Sequence, residues 1–203
     1  MGIHPPAGLV AGLAGAGGGR HDGRAGLRRL RGGVRGPVGA RHPPARVAHP
    51  PPGEWVLRDY EWPVLDWARA MMATHAVRVF VGTFFRSTIV WVWYFRWNGA
   101  GVGPGVFVNS LFVSDHNLLT LDEGVVIGDG VHMSGHTVEG GRLKTGRVSL
   151  GRGVMLGVGS VIGIDVTIGE GTQVGALSVV LKHSALASHA IYVGAPAVRL
   201  PSH

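Results

Sequence analysis

Aliphatic side chains recur at every sixth position in the last quarter of the chain. Leu150, Leu156, Ile162, Ile168, Val174 and Val180 head six successive hexads. Gly151, Gly157, Gly163, Gly169 and Gly175 follow five of them, and Leu181 is the exception. The fifth places, Val154, Ser160, Val166, Thr172, Ser178 and Ser184, are all small or β-branched. Such a fixed short period marks a repeat architecture. It fits a triangular prism of short parallel strands, with three faces and about 18 residues per coil. One aliphatic residue per face points inward and stacks on its copy one coil above, at a rise of roughly 4.8 Å. The small fifth residue fits the narrow interior near each corner, and glycine supplies corner conformations that other residues enter only at a cost.

The pattern extends upstream. Residues 121–138 form one further coil with Leu121, Ile127 and Met133 inward, and residues 102–113 begin another. The predicted solenoid has about four coils. Its phase breaks twice, over Ser114–Thr120 and over Glu139–Ser149.

Ahead of the repeat, residues 54–100 read as helical and hydrophobic. All six Trp fall between Glu54 and Trp97. Pro63 suits the first turn of a helix running through Leu65, Trp67, Ala68, Met71 and Met72. The run Val77–Trp97 is strongly apolar but is interrupted by Arg78, Arg86 and Arg96. A spanning helix wants about 20 nearly uncharged residues, and a mid-span Arg costs roughly 2.5–3.5 kcal/mol. The segment is therefore expected to lie on a bilayer or to cover one end of the core.

Charge changes the picture of the first quarter. The chain of 203 residues has a formal net charge of +7. Residues 1–53 hold eight Arg and one Asp, whereas the remainder is neutral. The folded part offers no basic surface for nucleic acid. Residues 1–53 carry 14 Gly, 8 Pro and no aromatic residue, so they cannot bury enough apolar surface to offset ordering, and disorder is expected. They match neither a secretory signal nor a transit peptide well, which points to the cytoplasm or its membrane surface. The absence of Cys excludes disulfides, zinc-thiolate sites and thiol catalysis.

Core positions in a solenoid serve packing, so chemistry is expected at the phase breaks. The first break places Asp115 beside His116. The second is entered from His136 and carries Glu139, Arg142 and Lys144. A His is suited to general-base work near neutral pH, and a carboxylate can fix its tautomer. By spacing, His136 with Glu139 is the leading pair and His116 the second candidate base. Asp115, Arg142 and Lys144 are candidate substrate contacts.

The hexads resemble the hexapeptide repeat of left-handed parallel β-helix proteins, mostly acyltransferases. That resemblance implies an all-β, single-stranded left-handed parallel β-helix over residues 101–203, trimerisation through flat prism faces, and acyl transfer from a pantetheine thioester to a hydroxyl or amine. The ending Tyr192–Leu200 resembles the Gly-x-Pro-Ala closure of these enzymes. It implies that Gly157, Ala176, Ser178, Lys182 and Arg199 contact coenzyme A, acyl-CoA or a carrier-bound phosphopantetheine, with no metal. From Gly82 onward the chain is also similar to the C-terminal β-helix domain of nonribosomal-peptide-synthetase-like membrane proteins, on Gly82, Thr83, Arg96, Gly99, Ala100, His136, Glu139, Lys144, Gly146, Gly175, Leu177, Ser178 and Lys182. The Arg expected five residues after the His is Gly141, and Arg142 lies one later. This second resemblance implies an alternative: a non-catalytic assembly domain at the end of a longer chain, with a carrier domain as partner. A third reading is the carbonic-anhydrase branch of the fold, which binds a metal through three His across a subunit interface, here His116, His132 and His136. There, the four-residue step from His132 to His136 crosses a prism corner and works against convergence on one ion.

Overall fold

The computed structural model describes residues 49–201. Most of the expected tail, residues 1–48, lies outside the described residues. Its last residues are held to the body. The Asn117 side-chain amide donates to the Pro50 carbonyl at 3.1 Å, and the Thr145 hydroxyl donates to the Pro51 carbonyl at 2.8 Å. Strand β1 then begins at Gly53 (Gly53–Val56), so Pro50–Gly53 are joined to the body.

Helix α1 spans Trp62–Val77, with Pro63 in the first turn, where a missing N–H costs nothing. At Val77 the helix widens into a π turn over Arg78–Gly82, which leads into the short α2 (Thr83–Phe85). Ser87, at φ 65°, then breaks the path before α3 (Ile89–Trp97). The apolar run is thus two helices and a turn. No helix among the described residues is long and apolar enough to cross a membrane. Helix α3 buries Trp91, Val92 and Phe95 against the first coil, and the Trp91 indole N–H donates to the Ser110 carbonyl at 3.1 Å.

The coils follow. The first carries β2 (Gly101–Val102) and β3 (Phe107–Val108), and the second β4 (Leu119–Leu121), β5 (Val126–Ile127) and β6 (His132–Met133). A hairpin of β7 (His136–Glu139) and β8 (Arg142–Thr145) interrupts the winding. The third coil has β9 (Val148–Leu150), β10 (Met155–Leu156) and β11 (Val161–Ile162). The fourth has β12 (Val166–Ile168), β13 (Gln173–Val174) and β14 (Val179–Val180). Strands β15 (Ala185–Leu186) and β16 (Ile191–Val193) begin a last turn, and β17 (Val198–Arg199) folds back antiparallel on β16.

Three columns of parallel strands result. One runs β2–β4–β9–β12–β15, a second β3–β5–β10–β13–β16, and a third β6–β11–β14. Val113 bridges to Met133 at the head of the third. Met155 lies beside Gln173, Val161 beside Val179 and Thr167 beside Ala185, eighteen residues apart in each case. The heads of the hexads form the interior: Leu150, Leu156, Ile162, Ile168, Val174 and Val180 are each at most 2% exposed. Each contributes about 1.5–3 kcal/mol by leaving water. The fifth positions Ser160, Thr172 and Ser178 are fully buried beneath the corners.

The two phase breaks acquire structure of their own. The first becomes a 3-10 turn, His116–Leu118, entered from Asp115 in the left-handed region at φ 53°. The second becomes the β7–β8 hairpin, closed by Gly140 and Gly141, both at positive φ as a two-residue hairpin turn requires. Strand β1 pairs with the free edge of β8, Gly53 opposite Thr145 and Val56 opposite Arg142. A small antiparallel sheet thus stands off the prism beside α1.

Candidate functional site

The two phase breaks meet where β6 ends. The Nδ1–H of His136 donates to Asp115 Oδ2 at 2.6 Å. The same carboxylate oxygen accepts from the Ser134 hydroxyl at 3.0 Å, the Gly135 backbone N–H at 3.1 Å and the Ser114 hydroxyl at 3.2 Å. Burial pushes the Asp115 pKa up, but the hydrogen bond and charge of His136, with the Ser134 hydroxyl, outweigh it and hold the carboxyl below its ordinary value. With Nδ1 committed to Asp115, the lone pair of a neutral His136 is on Nε2. The Trp67 indole of α1 packs edge-on against the imidazole at 5.0 Å and fixes its tilt.

Gly135 makes this approach possible. A Cβ there would stand 2.7 Å from Leu118 Cδ1 and 3.0 Å from Asp115 Cβ. The turn holding Asp115 and the strand end holding His136 could not close together with a larger residue.

The sequence pairing of His136 with Glu139 is corrected by this geometry. The alternation of β7 carries Glu139 away from the imidazole. Its carboxylate instead receives Lys182 Nζ at 2.6 and 2.7 Å, with Lys144 Nζ at 3.6 Å. The hydrogen bond from Lys182 is the main cause that lowers the Glu139 pKa. Asp115, expected to contact substrate, is 6% exposed and instead orients the imidazole.

His116 is not placed to act as a base. It is fully buried, with the Phe95 ring 4.4 Å and the Tyr94 ring 5.2 Å from its own. Among the described residues neither ring nitrogen has a hydrogen-bond partner, and burial drops its pKa from 6.5 to about 3. It serves as a neutral part of the core. For the same reason it does not join His132 and His136 around one point. No trio of His, Asp or Glu among the described residues gathers within reach of a single ion.

Of the remaining candidates, Arg142 pairs with Glu54 across the β1–β8 ladder at 3.3 Å, and Lys144 faces Glu139. The Gly157 N–H is taken by the Val174 carbonyl at 2.8 Å and so has no donor left for a ligand. Ser178 points inward, fully buried, and accepts from the Gly194 N–H at 3.1 Å, which removes it from any surface contact. Ala176 is exposed at a corner, and Arg199 is exposed on β17. Only Lys182 among these five lines a cavity that reaches His136.

That cavity is one of two meeting at the imidazole. A groove of about 310 Å³ runs down the β6–β11–β14 face from His136 past Gly163 to Lys182, with mostly apolar walls. A second cavity, of about 380 Å³, lies between α1 and the second coil and is lined by Met71, His75, Arg78 and Phe112. His132, Ser134, His136 and Thr137 border both. His132, beside the imidazole, is pushed below its ordinary pKa by burial, by Arg78 and by His136. Sequence reasoning missed Ser134, Gly135, Trp67 and Arg78 as parts of this site. Only the pair Gly140–Gly141 between alternating residues carried a legible signal, that of the hairpin.

No family model matches the chain, and no curated protein matches it. Solved structures do resemble it. A hexapeptide-repeat acetyltransferase from Vibrio cholerae aligns at 24% identity and a TM-score of 0.46, over 50% of this chain and 61% of that one. The same enzyme complexed with acetyl coenzyme A aligns at 23% identity and 0.47, over 51% and 60%. A galactoside acetyltransferase in complex with coenzyme A aligns at 25% identity and 0.40, over 51% and 62%. The chain therefore spans about 61% of the length of the first of these structures.

Proposed function

We propose that this protein is an acyltransferase of the hexapeptide-repeat kind, wound as a left-handed β-helix, with His136 as general base and Asp115 as its positioning carboxylate. The observation that carries this reading is the Asp115–His136 pair at 2.6 Å, seated where two cavities meet. One cavity suits an acceptor and the other a thioester donor. The apolar groove along Val161, Gly163, Val179 and Leu181 fits a pantetheine arm, and Lys182 at its far end stands where a phosphate would be met. When bound, an acyl-CoA or carrier-bound thioester supplies the activated carbonyl.

The chain's own residues do the rest. His136 Nε2 removes the proton of an acceptor hydroxyl or amine as that atom attacks the carbonyl, and the thiolate leaves as the carbon–sulfur bond breaks. The proton held on His136 then passes to the departing sulfur. Asp115 keeps Nδ1 protonated and stabilises the imidazolium while it lasts. In a homotrimer the groove would be closed by the flat face of a neighbouring prism.

The test is release of thiol from acetyl coenzyme A with a panel of hydroxyl and amine acceptors, comparing wild type with His136→Gln. The expected result is acceptor-dependent release that falls at least 100-fold in His136→Gln while coenzyme A binding is kept. Equal release by both would sink the base assignment, and no coenzyme A binding would move the donor to a carrier domain.

The second reading, an assembly domain of a nonribosomal-peptide-synthetase-like membrane protein, draws on a separate observation. Phe80, Phe84, Trp93 and Trp97 are exposed on the helical segment, between 50% and 80% each. Exposed aromatic rings suit a bilayer interface. Co-sedimentation with anionic lipid vesicles, lost in a Phe84→Ser, Trp93→Ser double variant, is the outcome this reading requires.

A further inference from the structure

Arg78 is the one permanently charged side chain on the wall of the larger cavity. It opens the π turn that ends α1, and the wider turn shifts it out of the register of the preceding helix. Its guanidinium carbon lies over the face of the Phe112 ring, 5.4 Å from the ring centre, and among the described residues its Nε is buried without a hydrogen-bond partner. Among the described residues no carboxylate pairs with it. The titratable groups that share this wall are His75, His132 and His136, while Tyr94 and His116 lie close to the guanidinium within the core. The acid of the site, Asp115, takes four donors on Oδ2 and forms no ion pair with Arg78.

A half-buried guanidinium without a counter-ion is costly, and its planar fork matches a carboxylate or phosphate with two parallel hydrogen bonds. The cavity it lines opens onto His136, the residue argued above to take the acceptor's proton. We infer that the acceptor bears an oxyanion, a carboxylate or a phosphate, which Arg78 grips while a hydroxyl or amine of the same molecule is presented to His136. This rests on the acyl-transfer reading, which leaves the acceptor's chemical class open.

The experiment has two arms. In the first, acetyl coenzyme A is the donor and acceptors are offered as matched pairs: glycerol 3-phosphate with glycerol, lactate with propane-1,2-diol, and β-alanine with propylamine. At least one anionic member should exceed its neutral twin at least 30-fold in kcat/KM. Arg78→Gln should bring that ratio close to one, and Arg78→Lys, which keeps the charge but loses the fork, should leave it intermediate. Neutral twins used as well as anionic ones, or a ratio that survives Arg78→Gln, overturns the inference. In the second arm, inorganic phosphate and acetate are titrated calorimetrically into the full chain. Binding should weaken at least tenfold in Arg78→Gln and persist in His136→Gln, and the tighter of the two names the group. Absence of anion binding in wild type overturns the inference. Arg78-dependent binding without turnover of any acceptor supports the anion site and sinks acyl transfer from acetyl coenzyme A instead. Circular dichroism of each variant against wild type separates lost binding from lost folding.

Discussion

Asp115 Oδ2 and His136 Nδ1 stand 2.6 Å apart although the two residues are twenty-one positions apart in the chain, about one coil of the prism. The parallel winding stacks the end of one coil directly on the end of the next, so the corner after Val113 meets the corner after Met133. The pair is a by-product of the repeat: two corners in vertical register, each interrupted by an insertion.

Asp115→Asn keeps the shape of the pair and removes the charge that selects the Nδ1–H tautomer. Turnover should fall about 100- to 10,000-fold while coenzyme A affinity stays within about twofold. Thiol-release kinetics beside calorimetry read both. Turnover within tenfold of wild type would show that Asp115 does not hold the tautomer.

Gly135→Ala adds one carbon, which would stand 2.7 Å from Leu118 and 3.0 Å from Asp115. The contact must open, at a cost of about 1–3 kcal/mol. A drop in urea midpoint together with a loss of turnover larger than the fraction unfolded is expected. A variant as stable and as active as wild type would mean that the two corners have room to spare.

His116 makes stability depend on pH. Its pKa is about 3 in the folded protein against 6.5 in the unfolded chain. The unfolded chain therefore binds a proton below pH 6.5 that the folded one refuses until near 3. The stabilisation is complete above 6.5 and is lost as pH falls toward 3, at no more than about 1.4 kcal/mol per pH unit. Asp115 acts further down. Its depressed pKa stabilises the fold above its ordinary value of 3.8, and that contribution disappears as pH falls through the folded value. Urea midpoints measured from pH 7.5 to 4 should decline in wild type and decline less steeply in His116→Leu, the remaining slope coming from His49 and His132, whose pKa values burial also lowers. A wild-type profile flat across that window would contradict the neutral, buried state of His116.

Lys182 stands at the end of the apolar groove with its ammonium on Glu139. Lys182→Ala should weaken coenzyme A binding about tenfold and leave kcat within about twofold, since the residue is remote from the imidazole. A fall in kcat with an unchanged dissociation constant would move Lys182 from donor binding to the chemistry.

Much of the architecture is written in the hexads. Periodicity settles which side chain at each step can tolerate the interior, so Leu150, Ile162 and Val174 could be assigned to the core from spacing alone. Pro63 likewise announced its helix, since it belongs only in a first turn. Both signals are local, and local signals survive in a sequence. The site is different. Spacing favoured Glu139 for His136 because three residues separate them, but β7 carries that carboxylate to Lys182, and the partner comes from the coil before. His116 looked reactive beside Asp115, yet the packing of α3 seals it behind Tyr94 and Phe95. Ser178 looked like a surface contact, but its place beneath a corner buries it. Arg78 read as an interruption in an apolar run, and only the docking of α1 on the second coil makes it the wall of a cavity. Periodicity states which way a residue faces. Which residue it faces depends on the stacking of distant coils and on how the helical segment lies across them, and those are properties of the tertiary structure.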